Sequence, residues 1–258
     1  MYKIIAFFVT FSISHTIHTQ NSNNQICGEV SFTQTTHFSR DFSRKFVLNF
    51  NQNFSLYTEV DIVKTNKNTT TSTTDEGAQL NIDIARNNTT PEFYFNNREE
   101  LYFREIKSDQ ELVAKEDPFK WKWKLKNETK KIGDFECEKG IITFRGRVYT
   151  AWFTKLIPVS YGPWKFQGLP GLILEIYDED KVFHIVASRV KINSTSNCEL
   201  SFDKTKLKNA LTIQDYLVKK TDIIKADFAK ISSKLPKGSN PLIYDENCDD
   251  CREEIEKF

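Results

Sequence analysis

The chain has 258 residues, 39% hydrophobic and 13% aromatic, with 36 basic and 35 acidic side chains. A balance this even excludes the chain-wide basic footprint of a nucleic-acid binder. A single methionine beside 21 phenylalanines favours strands over a helical bundle.

The first residues read as a secretory signal peptide. Lys3 supplies a short positive start, and Ile4 to Ile13 is an apolar stretch of h-region length, too short to span a bilayer. Cleavage is expected near Thr19/Gln20, which divides the chain into a signal peptide (1–19), a single β-rich domain (20–235) and a polar tail (236–258). Loss of Lys3 leaves the mature chain with 35 charges of each sign. Gln25-Ile26 before Cys27 is not a lipobox, so a lipid anchor is not expected. The most apolar later stretch, Leu169 to Tyr177, is strand-sized and carries Glu175, so no integral membrane segment is expected. Export makes Cys27, Cys137, Cys198, Cys248 and Cys251 disulfide candidates, with connectivity open and one thiol left over.

Alternating apolar positions predict strands over Gly28 to Phe38, Phe46 to Phe50 and Phe54 to Val63, with Phe46, Leu48 and Phe50 on one face. Lys64 to Gln79, rich in Thr, Asn and Lys, reads as a long exposed loop, and Asn87 to Pro91 as a second. Short strands follow at Phe93 to Phe95 and Leu101 to Ile106 around a turn at Asn96-Asn97. Trp121, Trp123 and Leu125 alternate with four lysines, which predicts a strand with one buried face and one solvated lysine face. Two strands between Lys131 and Thr154 have turns at Gly133 and Gly146. Leu172 to Tyr177 and Val182 to Ile192 read as a hairpin about Asp178 to Lys181, its first arm central. Thr212 and Asp215 stand at capping spacing, and one or two short helices are expected between Lys204 and Ser233. The fold class is α+β, predominantly antiparallel β, with C-terminal helices on the sheet.

The segment Trp152 to Asp178, WFTKLIPVSYGPWKFQGLPGLILEIYD, carries the most information. Three X-Pro steps forbid continuous helix, and Gly162, Gly168 and Gly171 permit tight folding between them. Gly168-Leu169-Pro170-Gly171-Leu172-Ile173 spells GLPGLI, and upstream Trp123, Gly133, Cys137, Gly146-Arg147, Trp152-Phe153, Ile157-Pro158 and Gly162-Pro163 stand in register with it. On these residues the chain resembles the GLPGLI family of exported proteins, found mainly in Bacteroidetes and of uncharacterised function. The resemblance implies the periplasm or cell envelope of a Gram-negative bacterium, with secretion the other export route. The strand layout also resembles the curved sheets of periplasmic lipoprotein-carrier half-barrels, a fold-level analogy.

Trp152, Tyr161, Trp164 and Phe166 are the expected ligand contacts, with Gly162, Pro163, Gly168, Pro170 and Gly171 shaping the loop. The competing expectation is that this loop plugs the sheet and is core. The expected partner is a lipid or other apolar ligand, a peptide, or an envelope protein; an assembly role without a small ligand is the alternative, and a hydrolase a distant third. No catalytic residue, cofactor or metal is assigned. His184 reads as a strand residue, and the acidic surroundings of Cys248-x-x-Cys251 oppose a redox role. Two thiolates alone also fall short of a zinc site.

Overall fold

The computed structural model describes residues 25–38, 41–62, 69–74, 77–82, 88–117, 119–195, 198, 200–235 and 256. The expected signal peptide and both cysteines of Cys248-x-x-Cys251 lie outside the described residues.

Strands β1 (Gln25–His37), β2 (Asp41–Phe50) and β3 (Ser55–Val60) form one antiparallel run, which β6 (Phe93–Asn96), β7 (Leu101–Lys107) and β8 (Gln110–Glu116) continue. A second run comprises β9 (Lys124–Ile132), β10 (Phe135–Phe144), β11 (Arg147–Thr154), β12 (Leu172–Asp178) and β13 (Phe183–Thr195). β13 returns to pair with β1. Among the described residues this gives one 11-stranded antiparallel sheet, ordered β8-β7-β6-β3-β2-β1-β13-β12-β11-β10-β9. Period-2 patterning builds the core: Phe46, Leu48 and Phe50 are all buried, opposite Phe32, Val30 and Gly28 of β1. Each such side chain contributes about 1.5–3 kcal/mol on burial. The second run turns where glycine was expected to allow it. Gly133 has φ +56°, and Arg145-Gly146 have φ +47° and +74° in a two-residue hairpin loop.

Cys27 and Cys198 form a disulfide, while Cys137 is a buried free thiol. The bridge ties the chain beyond β13 back to β1. Helix α1 (Ile213–Ser232) starts at Thr212, whose Oγ1 accepts from the Asp215 amide at 3.1 Å. It buries Ile213, Tyr216 and Ile223, and its contacts are with β7 and β8. Just before it, Leu211 exchanges backbone hydrogen bonds with Val113 and Lys115 and covers part of the β8 edge. Among the described residues the C-terminal region therefore holds one helix of 20 residues, longer than expected, preceded by a single 3-10 turn at Lys204–Leu207. No described helix is long and apolar enough to cross a membrane.

Three expectations need correction. The Thr-rich run is not simply loop: β4 (Thr69–Thr74) pairs with β5 (Gly77–Ile82) in a two-stranded ribbon, because a β-branched run favours extended pairing even where it carries little apolar surface. Trp121 and Trp123 are half-buried but precede the strand, and Leu125 is 52% exposed. β9 is the outermost strand, so a side chain there has a strand neighbour on one side only; its lysines guard an open edge. Strand β8 was not anticipated.

Candidate functional site

The β11–β12 loop folds onto itself and onto the start of β12. The Gly168 amide donates to Ser160 O at 2.9 Å, Leu172 to Ile157 O at 3.0 Å and Ile173 to Tyr161 O at 3.1 Å. Trp123 Nε1 donates to Gln167 O at 2.8 Å, fixing the half-buried tryptophan against the loop. Gly168 has φ +90°, and a Cβ there would lie 2.8 Å from the Trp121 Cβ. Gly171 permits a closer approach still: its Cβ would sit 2.2 Å from Thr154 O, at the end of β11. Gly162 and Pro163 are buried, whereas Pro170 is exposed.

The loop's aromatics fill the sheet. Trp164 takes φ +57°, a strained conformation for a bulky residue, and in it packs against Phe183 (5.1 Å between ring centroids), Phe144 (6.2 Å) and Tyr94 (6.3 Å). Phe166 packs on Tyr149 at 4.8 Å. Trp152, Tyr161, Trp164 and Phe166 are all buried, at 7%, 0%, 4% and 0% exposure. They do not converge on one surface. Trp152 is three positions from Tyr149 on β11 and so lies on the other sheet face. There Lys130 sits 4.6 Å over its ring, and the Glu175–His184 pair (3.0 Å) lies beside it on β12 and β13. Burial works to raise the Glu175 pKa, but hydrogen bonds from His184 and Lys130 hold it below the usual carboxylate range.

Beside the loop opens a cleft of about 260 Å³. Phe119 and Trp121, from the β8–β9 connection, form an aromatic wall. Arg98 and Glu99, from the β6–β7 turn, also line the cleft, as do Asp117 and Gly168. Asn97 Oδ1 accepts from the Glu99 and Glu100 amides, and Asn96 Oδ1 from the Arg98 amide, which sets the turn. Phe119 packs edge-on against Phe144 and Trp121, both at 4.9 Å, and is 39% exposed.

Lys165, 1% exposed, also lines the cleft. Its Nζ donates to Glu116 at 2.8 Å and to both oxygens of Glu256, at 2.8 and 3.0 Å, and lies 4.2 Å from the Phe103 ring centroid. Glu116, at the end of β8, also pairs with Arg145 in the β10–β11 turn. Burial acts to lower the Lys165 pKa, but Glu256, Glu116 and Glu105 outweigh it and hold the ammonium above its ordinary range. Nearby, Glu105 accepts from Tyr216 Oη at 2.7 Å and Tyr94 Oη at 3.2 Å and pairs with Lys107.

The cleft therefore offers fixed charges and aromatic faces. Its lining includes no histidine or cysteine, and among the described residues no three His, Cys, Asp or Glu side chains group as a metal site. Arg98, Glu99, Glu116, Asp117 and Phe119 were not singled out from the sequence. The one available signal was Leu112-x-Ala114-x-Glu116, which points a carboxylate inward at the end of an apolar alternation.

Residues 144–175, spanning β11, the loop and most of β12, match a family model described as "Protein of unknown function (Porph_ging)", a Bacteroidetes-type family that does not carry the GLPGLI name. No curated protein matches the chain. Two solved structures, of PNGF-II in a C2 and in a P21 space group, are similar at 15% and 14% identity, each with a TM-score of 0.46. The match covers 78% of this chain and 32% and 34% of those, so the chain spans about a third of their length. The sequence similarity thus rests on the stretch that builds the loop, and it is to a family whose function is unknown.

Proposed function

We propose that the chain is an exported GLPGLI-type protein of the Gram-negative cell envelope that binds a peptide-like ligand, without catalysis, in the cleft lined by Phe119, Trp121, Arg98 and Glu99. The observation that carries this reading is a cleft whose lining combines the aromatic Phe119 and Trp121 with the charged Arg98, Glu99 and Asp117. An aromatic face takes up side chains, while fixed charges and loop polar groups match a peptide's amides and ionic groups. A purely apolar chain would strip water from Arg98, Glu99 and Asp117 with nothing in return. On this reading the sheet is curved in the manner of lipoprotein-carrier half-barrels, with the loop filling the space a lipid would use. Trp164 and Phe166 then act as the cleft's backing. The Cys27–Cys198 bridge supports an oxidising compartment.

The second reading, an assembly component without a small ligand, draws on Leu125 and Leu156, exposed by 52% and 70%.

The test is native purification from the envelope, then extraction and mass spectrometry for peptides and lipids, with Phe119→Ala alongside. Peptides retained by the parent and lost from the folded variant support the reading. A lipid in their place overturns the peptide-like class, and an empty parent chain overturns binding.

A further inference from the structure

The buried Lys165 is held by Glu256 and Glu116, with Glu105 adding to the attraction. Lys165 and Arg145 share Glu116, whose two oxygens are divided between them. Glu256 supplies the second carboxylate, giving Lys165 two of its contacts and standing 3.9 Å from Arg145 Nε. Without it Lys165 keeps Glu116, which it shares with Arg145, and the attraction of Glu105, and it is 1% exposed beside the rings of Phe103 and Trp164. Removing one partner of a buried ion pair is costly, so Lys165 favours a carboxylate here, while burial, Glu116 and Glu105 push the Glu256 pKa up. The other three partners are set by β8, the β10–β11 turn and the loop. Glu256 lies 91 positions from Lys165 in sequence and belongs to no strand or helix of the fold.

We propose that Lys165 is a carboxylate-recognition point at the base of the cleft, that Glu256 occupies it in cis, and that the ligand in trans is an acidic peptide whose carboxylate replaces Glu256. This rests on the cleft being the binding site and names its ligand class. The ligand's neighbouring side chains lie against Phe119 and Trp121, and Arg98 in the cleft lining takes a second acidic group. Glu256 then competes with the ligand, and the apparent affinity is lowered by the fraction of molecules in which it is seated.

The probe is a fluorescein-labelled synthetic peptide of residues 252–258, Arg-Glu-Glu-Ile-Glu-Lys-Phe, titrated by anisotropy into the full chain and two variants whose folding is checked by thermal melting. Glu256→Gln, which weakens the internal competitor, binds the probe about tenfold or more tighter than the parent chain. Lys165→Met combined with Glu256→Gln, which leaves Glu116 paired with Arg145 alone, loses that gain. A probe with glutamine at the position of Glu256 binds weakly throughout. Equal binding by the parent and Glu256→Gln, or equal binding of the two probes, overturns the inference. If Phe119→Ala still abolishes that binding, the cleft remains a peptide site and only the carboxylate assignment falls. Absence of binding to folded Glu256→Gln also overturns it, and the extraction experiment then judges the cleft separately.

Discussion

Gly171 lies so close to Thr154 that a Cβ on it would stand 2.2 Å from the Thr154 carbonyl oxygen. The second glycine of the GLPGLI motif is thus a contact between backbones, closing the loop against the strand it leaves.

Gly171→Ala is therefore expected to destabilise the protein by about 3 kcal/mol or more, because the obstacle is strand backbone that cannot swing aside. Gly133→Ala, with nothing within 4 Å but φ +56°, costs only about 1 kcal/mol. Thermal or urea denaturation of the two variants measures the contrast, and equal losses would contradict the close-approach argument.

The Cys27–Cys198 bridge closes a sequence separation of 171 residues. Its removal in Cys27→Ser/Cys198→Ser is expected to cost about 2–5 kcal/mol, chiefly by freeing the unfolded chain. A urea titration with and without reductant should show the same loss for the parent chain.

Burial pushes the Cys137 thiol up to about 11, with Glu175 adding to the shift and Lys130 opposing it. At pH 8 it is almost wholly protonated, and the thiolate is the reactive form. Alkylation followed by peptide mapping should find Cys137 unmodified in the native protein and modified in denaturant. Rapid native modification would show that it is exposed.

Glu105 is held well below the usual carboxylate range. Burial acts to raise it, but Lys107, Lys165 and Lys220, with the Tyr216 hydrogen bond, outweigh that. A depressed folded-state pKa gives stability that is present above the unfolded value, near 4.5, and is lost as pH falls through the folded value. Unfolding free energy should therefore drop as acid is added below about pH 4.5, with a shallower slope in Glu105→Gln. An unchanged slope would remove Glu105 from the acid response.

Much of the fold was legible because its signals are local. Gly133, Gly146 and Asp178 to Lys181 mark hairpins by turn chemistry, and Thr212 with Asp215 marks the helix start. β8 escaped notice because only Leu112 and Ala114 carry its apolar alternation before a charged residue takes the next inward position. The site was less legible. Trp152, Tyr161, Trp164 and Phe166 stand out as aromatics among prolines and glycines, yet sequence does not say which strand face each takes. Trp152 falls on the face opposite Tyr149 and its loop contacts. The cleft combines Arg98 and Glu99 of the β6–β7 turn, the connection after Glu116 and the loop at 160–168, distant in sequence, with the end of β8 and the β10–β11 turn meeting at Glu116 and Arg145. Glu256 sits in a segment whose composition reads as solvated tail, and nothing local in that segment signals its contacts with Lys165 and Arg145.

The most direct test of the cleft as the binding site is photo-crosslinking in the native envelope, with p-benzoylphenylalanine replacing Phe119 in one variant and Leu125, exposed on β9, in another. The account predicts a peptide adduct from position 119 and none from position 125. Adducts of equal yield at both positions, or none at 119 in a folded protein, would contradict it.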